Sequence, residues 1–187
     1  MADGGSWRAR VSGVETVANL APISGWEEQP EPGQFVMVSL PHPPTGFGQD
    51  VCDAVPMSVA GWEPRRLRLT VKNLGATSAA LLACKPGDLL AVTGPLGRGF
   101  SLKATQPLLM GGGVGAPPLL FLAQRLAAQG VEPVTLLGGA TADEIFHRNE
   151  FPGTVDIATD DGSAGHHGCV TELLDSRNPD RLYSCGP

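Results

Sequence analysis

QPLLMGGGVGAPPLLFLAQRLAAQG, residues 106–130, changes backbone geometry twice within twenty-five positions. Leu108, Leu109 and Met110 form an uncharged run that reads as a buried strand. Glycines follow at 111, 112, 113 and 115, and an apolar, alanine-rich helix begins at Ala116. Its prolines, Pro117 and Pro118, fall in the first turn, where the N–H they lack would have no partner anyway. Gly130 is its stop signal. Strand, glycine turn and helix in this order make the first step of a parallel α/β sheet. Glycines at that step let the backbone approach a ligand, and the helix N-terminus offers free N–H groups and a positive dipole end to a phosphate. Gly111, Gly113 and Ala116 match the spacing G-x-G-x-x-A. In a chain with 25 glycines, a plain strand–helix turn gives the same letters, so the match gains weight only from its context.

The same rhythm continues downstream. VEPVTLLGGA (131–140) reads as a second strand, TVDIATDDG (154–162) as a third and DRLYSCGP (180–187) as a fourth. TADEIFHRNEF (141–151) reads as a helix with Thr141 and Glu144 spaced as a capping box, and GCVTELLDSR (168–177) as another. Such an alternation calls for parallel strands joined by right-handed crossovers. Dinucleotide-binding folds usually place an acid at the end of the second strand for the ribose. Here that strand ends in LLGGAT, and Glu132 stands at its beginning instead. A nucleotide would then lie across the glycine turn, with its reactive ring reaching toward the later strand ends, TDDG and SCGP. Asp160 and Asp161 are candidates for a ribose or cation, and equally for a turn opening before Gly162.

Upstream the period is two. FVMVSL (35–40), VPMSVA (55–60) and RLRLTVK (66–72) alternate between turns of proline, glycine and charge. One helical piece interrupts them, TSAALLACKPGD (77–88), which Thr77 or Ser78 can cap and Pro86-Gly87 ends. Short strands with one short helix indicate a small antiparallel barrel. The boundary falls near residue 100, giving a β-barrel domain over 1–100 and an α/β domain over 101–187.

Composition narrows the chemistry. A net charge of −6 with no basic stripe argues against nucleic acid. The first residues, MADGGSWRARV, have no apolar signal core, and no run of about 18 apolar residues exists to span a membrane. The cysteines at 52, 84, 169 and 185 have no metal-site spacing, so reduced cytoplasmic thiols are expected and no metal ligands. Cys52, Cys84 and Cys169 read as small buried hydrophobes. His166-His167 reads as a polar turn. No Ser-His-Asp set or paired carboxylate can be placed, so no acid–base catalytic residue is assigned.

PGQFVMV (32–38), DAVPMSVA (53–60), VKNLGATSAALLACKPGD (71–88), GPLGRGF (94–100), GGGVGAPPL (111–119), TDDGSAGHHGCVT (159–171) and YSCGP (183–187) occur in one order. Together they resemble the electron-transfer subunits of NAD-dependent dihydroorotate dehydrogenase, within the ferredoxin-reductase superfamily. The resemblance covers the chain from about residue 8 onward and implies a two-domain flavoprotein. Val55, Pro56, Met57 and Ser58 would line a flavin, with Thr70, Val71 and Lys72 bordering its other side. Gly75, Ala76 and Thr77 would set a helix N-terminus against the FAD pyrophosphate. Gly111, Gly112, Gly113, Val114, Gly115, Ala116 and Pro117 would take the NADH pyrophosphate, with Asp160 nearby, and Cys185-Gly186 would lie over the nicotinamide.

The same resemblance implies FAD and NAD(H) as cofactors and a cytoplasmic role in pyrimidine biosynthesis beside a catalytic partner subunit. It also implies a [2Fe–2S] centre in a longer form of the chain, whose cluster cysteines would follow the terminal Cys-Gly-Pro. Two departures stand out. Val55 occupies the place of an arginine common in relatives, so Arg65, Arg66 or Lys72 would share the phosphate charge. Ala140 replaces a basic residue, which favours NADH over NADPH. A reductase subunit of another NAD(P)H-linked system, of ferredoxin:NADP oxidoreductase or sulfhydrogenase type, remains an alternative, as does a non-catalytic flavin-binding module.

Overall fold

The computed structural model describes residues 6–14, 17–22, 28–48, 51, 53–64, 66–174 and 177–187. The chain divides into two units, Met1–Gly99 and Phe100–Pro187.

In the first unit, six strands close into an antiparallel barrel: β1 (Ser6–Val14), β2 (Val17–Pro22), β3 (Phe35–Ser39), β4 (Val55–Glu63), β5 (Arg66–Thr70) and β6 (Leu89–Leu96). Their order is β1-β2-β5-β4-β3-β6, and β6 pairs back onto β1. Burial alternates along β3, β5 and β6, as a strand with one face inward requires. Val36, Val38, Leu67, Leu69, Leu90 and Val92 fill the interior. Each fully buried side chain of this size contributes about 1.5–3 kcal/mol. Sequence reading names three of these strands; the structure adds β1, β2 and β6. The helix α1 (Ala76–Ala83) starts one residue before Thr77, with Gly75 as its N-cap. Capping runs backwards here: the Ser78 hydroxyl accepts from the amides of Leu74 (2.8 Å) and Gly75 (2.9 Å) and donates to the Gly75 carbonyl (2.9 Å).

The second unit is a five-stranded parallel sheet ordered β10-β9-β8-β7-β11. Its strands are β7 (Pro107–Gly112), β8 (Val134–Gly139), β9 (Thr154–Thr159), β10 (His166–His167) and β11 (Arg181–Cys185). The helix α2 (Ala116–Ala127) covers one face. Leu119, Leu120, Leu122, Ala123 and Leu126 of α2 form a core with Leu109, Leu137 and Tyr183. Phe100 meets the Tyr183 ring edge-on at 5.7 Å, and the Tyr183 hydroxyl donates to the Ser101 carbonyl at 2.5 Å.

Three expectations need correction. Residues 141–151 do not form a helix; a single 3₁₀ turn spans Ala142–Glu144, and no side chain caps it from Thr141. The segment is held by two anchors, Ile145 and Phe151, both buried. They stand six positions apart, which no α-helical face repeats, and His147 between them adopts φ 59. The segment expected as a helix over 168–177 holds only a 3₁₀ stretch, Val170–Leu174, and residues 175 and 176 lie outside the described residues. His166 and His167 are a short edge strand paired with Ala158 and Thr159 rather than a turn. Sequence alone gave them no apolar alternation to mark a strand.

Candidate cofactor sites

In the barrel, β4 pairs with β3 throughout Val55–Ser58, whereas its ladder with β5 ends at Val59↔Leu69. The second edge of Val55–Ser58 therefore carries no strand partner among the described residues. Pro56, with no N–H to give, is tolerated at such an edge. Pro56 and Ser58 are exposed, and Val55 and Met57 are half-buried. From the other side β5 runs on through Thr70, half-buried, into Val71, buried, and Lys72, half-buried. The two segments thus flank the place where the β4–β5 ladder parts.

Gly75 follows Lys72 by three residues, about 10 Å of chain at full extension. No heavy atom stands within 4 Å of the position a Cβ would take at Gly75. The Ser78 hydroxyl occupies the amides of Leu74 and Gly75, which leaves those of Ala76, Thr77 and Ser78 without an intrahelical partner. An open strand edge, an exposed hydroxyl and an uncovered helix N-terminus fit a flat ring and a pyrophosphate. Arg66 stands opposite Glu63 in the β4–β5 ladder, four residues or about 13 Å along the strand from Thr70. Arg65 lies outside the described residues. Lys72, half-buried, follows Thr70 by two residues.

In the α/β unit, the chain goes from β7 to β8 on one side and returns to β11 on the other. The switch point therefore lies between the carboxyl ends of β7 and β11, where ligands of such sheets bind. Gly111–Pro117 and Cys185–Gly186 meet at this point, and the parallel ladder pairs Cys185 with Gly111. The glycines divide by role. At Gly115 a Cβ would overlap the carbonyl of Cys185 and lie 2.6 Å from the amide nitrogen of Gly186. At Gly186 it would fall 2.5 Å from the Gly112 carbonyl oxygen, and at Gly111 3.1 Å from the Ala116 Cα. Those three are glycine because backbone packs on backbone. Gly113 differs: it holds φ 47 with nothing within 4 Å of the Cβ position. Beside it Val114 is 41 % exposed. Open space before the first turn of α2 is what a pyrophosphate needs.

Asp160 is exposed at the end of β9, and its amide donates to the Gly139 carbonyl at 3.1 Å. Asp161 has a different task. Its carboxylate accepts from the Ser163 amide (2.9 Å) and hydroxyl (2.6 Å), bonds that hold it below the usual carboxylate range. The double acid is thus one free carboxylate and one turn residue. The Ser163 hydroxyl also accepts from the Ala142 amide at 2.8 Å, a link between two loops that sequence reading missed. The letters DGS announce the turn, but nothing local announces Ala142 as the partner.

Among the described residues no three His, Cys, Asp or Glu side chains gather as a metal site. His166 Nε2 lies 2.7 Å from Glu172 Oε2, and that bond holds the Glu172 carboxyl below its ordinary value. Burial raises the Cys185 thiol. Burial, with Asp88 second, pushes Cys84 up to about 11. Cys169 is exposed, contrary to the expectation of a buried hydrophobe; Cys52 lies outside the described residues. A cavity of about 270 Å³ bordered by Gln106, Glu132 and Arg177 lies at the amino ends of β7 and β8, where this sheet topology does not place ligands. Its Arg177 is ion-paired with Asp156.

A closed antiparallel barrel followed by a parallel sheet with a glycine turn at its switch point is a ferredoxin-reductase-like arrangement. The solved NADH-dependent reduced ferredoxin-NADP oxidoreductase superposes with a TM-score of 0.77 at 29% identity, over 96% of this chain and 67% of that one. The sequence, in turn, is homologous to the electron-transfer subunit of dihydroorotate dehydrogenase B (NAD(+)). The Bacillus caldolyticus subunit is 38% identical over 171 residues, 86% of this chain and 65% of the relative. The probable Thermoplasma volcanium subunit is 39% identical over 166 residues, 87% of this chain and 60% of the relative. The chain thus spans somewhat less than two thirds of the length of these relatives. No family model matches it.

Proposed function

We propose that this chain is the flavin- and nicotinamide-binding part of an electron-transfer subunit that serves a dihydroorotate-oxidising partner in pyrimidine biosynthesis in the cytoplasm. The barrel, Met1–Gly99, binds FAD, and the α/β unit, Phe100–Pro187, binds NAD(H). The observation that carries this reading is the glycine turn at the β7–β11 switch point, where Gly113 leaves open space before α2. Homology to the dihydroorotate dehydrogenase B subunits supports the partner.

When bound, FAD supplies the centre that accepts a hydride from NADH and releases electrons singly. The protein's part is to hold and orient. Val55–Ser58 offer a strand edge to the flavin ring, with the Ser58 hydroxyl exposed beside it. Thr70, Val71 and Lys72 border the opposite side. The N-terminus of α1, through Gly75, Ala76 and Thr77, receives the FAD pyrophosphate, and Lys72 adds charge where Val55 brings none. Gly111–Pro117 receive the pyrophosphate of NADH, with Asp160 toward a ribose. Cys185 stays a neutral thiol, because burial raises its pKa, and packs with Gly186 near the nicotinamide. Hydride transfer between two cofactors needs no acid or base from the protein.

Cofactor choice tests this reading. The first seven residues after β8, Ala140 to Phe146, include Asp143 and Glu144 and no lysine or arginine. A 2′-phosphate meets repulsion there. Stopped-flow bleaching of the FAD-loaded protein should run at least about tenfold faster with NADH than with NADPH, a 1.4 kcal/mol preference. Equal rates, or no bleaching by either donor, contradict the assignment. The structural likeness to the ferredoxin-NADP oxidoreductase favours one second reading, a reductase for a ferredoxin. Reduction of ferredoxin in the absence of any dihydroorotate-oxidising subunit would select it.

A further inference from the structure

The loops after β8 and β9 are tied together by side chains. Asp161 accepts both donors of Ser163, and the Ser163 hydroxyl accepts the Ala142 amide at 2.8 Å. Thr159, fully buried, closes the base of the second loop: its hydroxyl donates to the Ala164 carbonyl (2.9 Å) and accepts from the Ala164 amide (3.0 Å). Two backbone bonds run parallel to this link, Asp160 N to Gly139 O at 3.1 Å and Asp161 N to Ala140 O at 3.2 Å. Ala142 opens a 3₁₀ turn, and the first amides of such a turn have no internal partner. Ser163 therefore caps, from another loop, a turn that Thr141 does not cap with its own side chain. The bracket fixes Ala140–Glu144, the segment at the carboxyl end of the second strand. In this topology that place receives the ribose of the adenosine half of a dinucleotide.

We infer that Ser163, held by Asp161, is a positioning residue for the adenosine half of the nicotinamide dinucleotide. The inference rests on the reading of the α/β unit as the NAD(H) site. Ser163 acts through Ala142 and does not need to touch the ligand. Its removal loosens the loop that meets the adenosine ribose and leaves the glycine turn and the nicotinamide end as they were. The effect thus falls on binding of the adenosine half and not on the rate at saturation.

The test compares the FAD-loaded protein with its Ser163→Ala and Ser163→Thr variants. ADP-ribose and nicotinamide mononucleotide serve as probes for the two halves, and calorimetry measures each dissociation constant. Ser163→Ala should weaken ADP-ribose about five- to tenfold, leave nicotinamide mononucleotide within twofold and raise KM for NADH with kcat unchanged. Ser163→Thr, which keeps the hydroxyl, should restore wild-type binding. Amide exchange at Ala142 should accelerate in Ser163→Ala alone, a readout independent of activity. If the wild-type protein binds ADP-ribose and Ser163→Ala binds it equally well, the positioning role is wrong while the NAD(H) reading stands. A loss of kcat at unchanged KM overturns it equally. If the wild-type protein binds neither ADP-ribose nor NADH, the NAD(H) reading itself falls and takes this inference with it.

Discussion

The carbonyl of Cys185 occupies the place where a side chain on Gly115 would begin. The end of β11 and the turn after β7 are thereby packed backbone to backbone, and neither can move without the other. Gly115→Ala forces the two apart or displaces α2, whose first turn follows at once. Overpacking of this kind costs about 1–3 kcal/mol or more, so the α/β unit should lose about 3 kcal/mol in urea denaturation. Gly113→Ala meets open space and only the strain of φ 47, a cost of about 1 kcal/mol. Its main effect should be weaker NADH binding. Equal destabilisation by the two variants would mean that the glycines are not divided as described.

The barrel offers a parallel contrast. Gly75 has φ 170, an extended backbone that any residue adopts, and empty space beyond it. Glycine is not needed there for folding. Gly75→Val should keep the thermal midpoint within a few degrees and place a branched side chain before the α1 amides. Affinity for FAD should fall about tenfold or more, read from flavin fluorescence on titration. Flavin released by heat from reconstituted wild-type protein should run as FAD on chromatography. FMN in its place, or full FAD affinity in Gly75→Val, would remove α1 from the site.

Both units were legible in the sequence because their signals are local. Alternation in FVMVSL and RLRLTVK and the uncharged run before the glycines each follow from one residue's neighbours. The ferredoxin-reductase-like class follows from their order. What escaped depends on distant partners. TADEIF carries the letters of a capping box, yet Ser163 takes the amide of Ala142 and Ile145 and Phe151 pull the chain into the core. The two histidines lack strand character until Ala158 and Thr159 provide a ladder. Gly111, Gly113 and Gly115 look alike in sequence, and only the folded chain separates them: the start of α2 packs on Gly111, the end of β11 packs on Gly115, and Gly113 is left open.

Thr135 on β8 is fully buried, and its hydroxyl has no hydrogen-bond partner among the described residues. The ladder sets it beside Leu109 and Val155, both of which pack with the core under α2. A buried hydroxyl without a bond costs about 1–3 kcal/mol. Thr135→Val replaces it with a methyl group of nearly the same shape. The variant should be more stable by about 1 kcal/mol, with a higher midpoint in urea and an unchanged m-value. A loss of stability would show that the hydroxyl has a partner, such as an internal water.

Asp180 ties the start of β11 to the start of β7. Its carboxylate accepts from the Thr105 amide (2.6 Å), the Thr105 hydroxyl (2.7 Å) and the Gln106 amide (3.0 Å). The Thr105 amide and hydroxyl are the leading causes of a pKa held below the ordinary carboxylate value. A depressed folded-state pKa means that the unfolded chain takes up the proton first. The stabilisation is therefore complete above the unfolded value of about 3.9 and fades as pH falls through the lower folded one. Asp180→Ala should lower the thermal midpoint at pH 7. The gap to wild type should hold from neutral pH down to about pH 5 and then close as the solution becomes more acidic. Midpoints of both proteins, measured from pH 7 to pH 2, decide the matter. A gap that stays constant across the range would assign the effect of Asp180 to packing rather than to its charge.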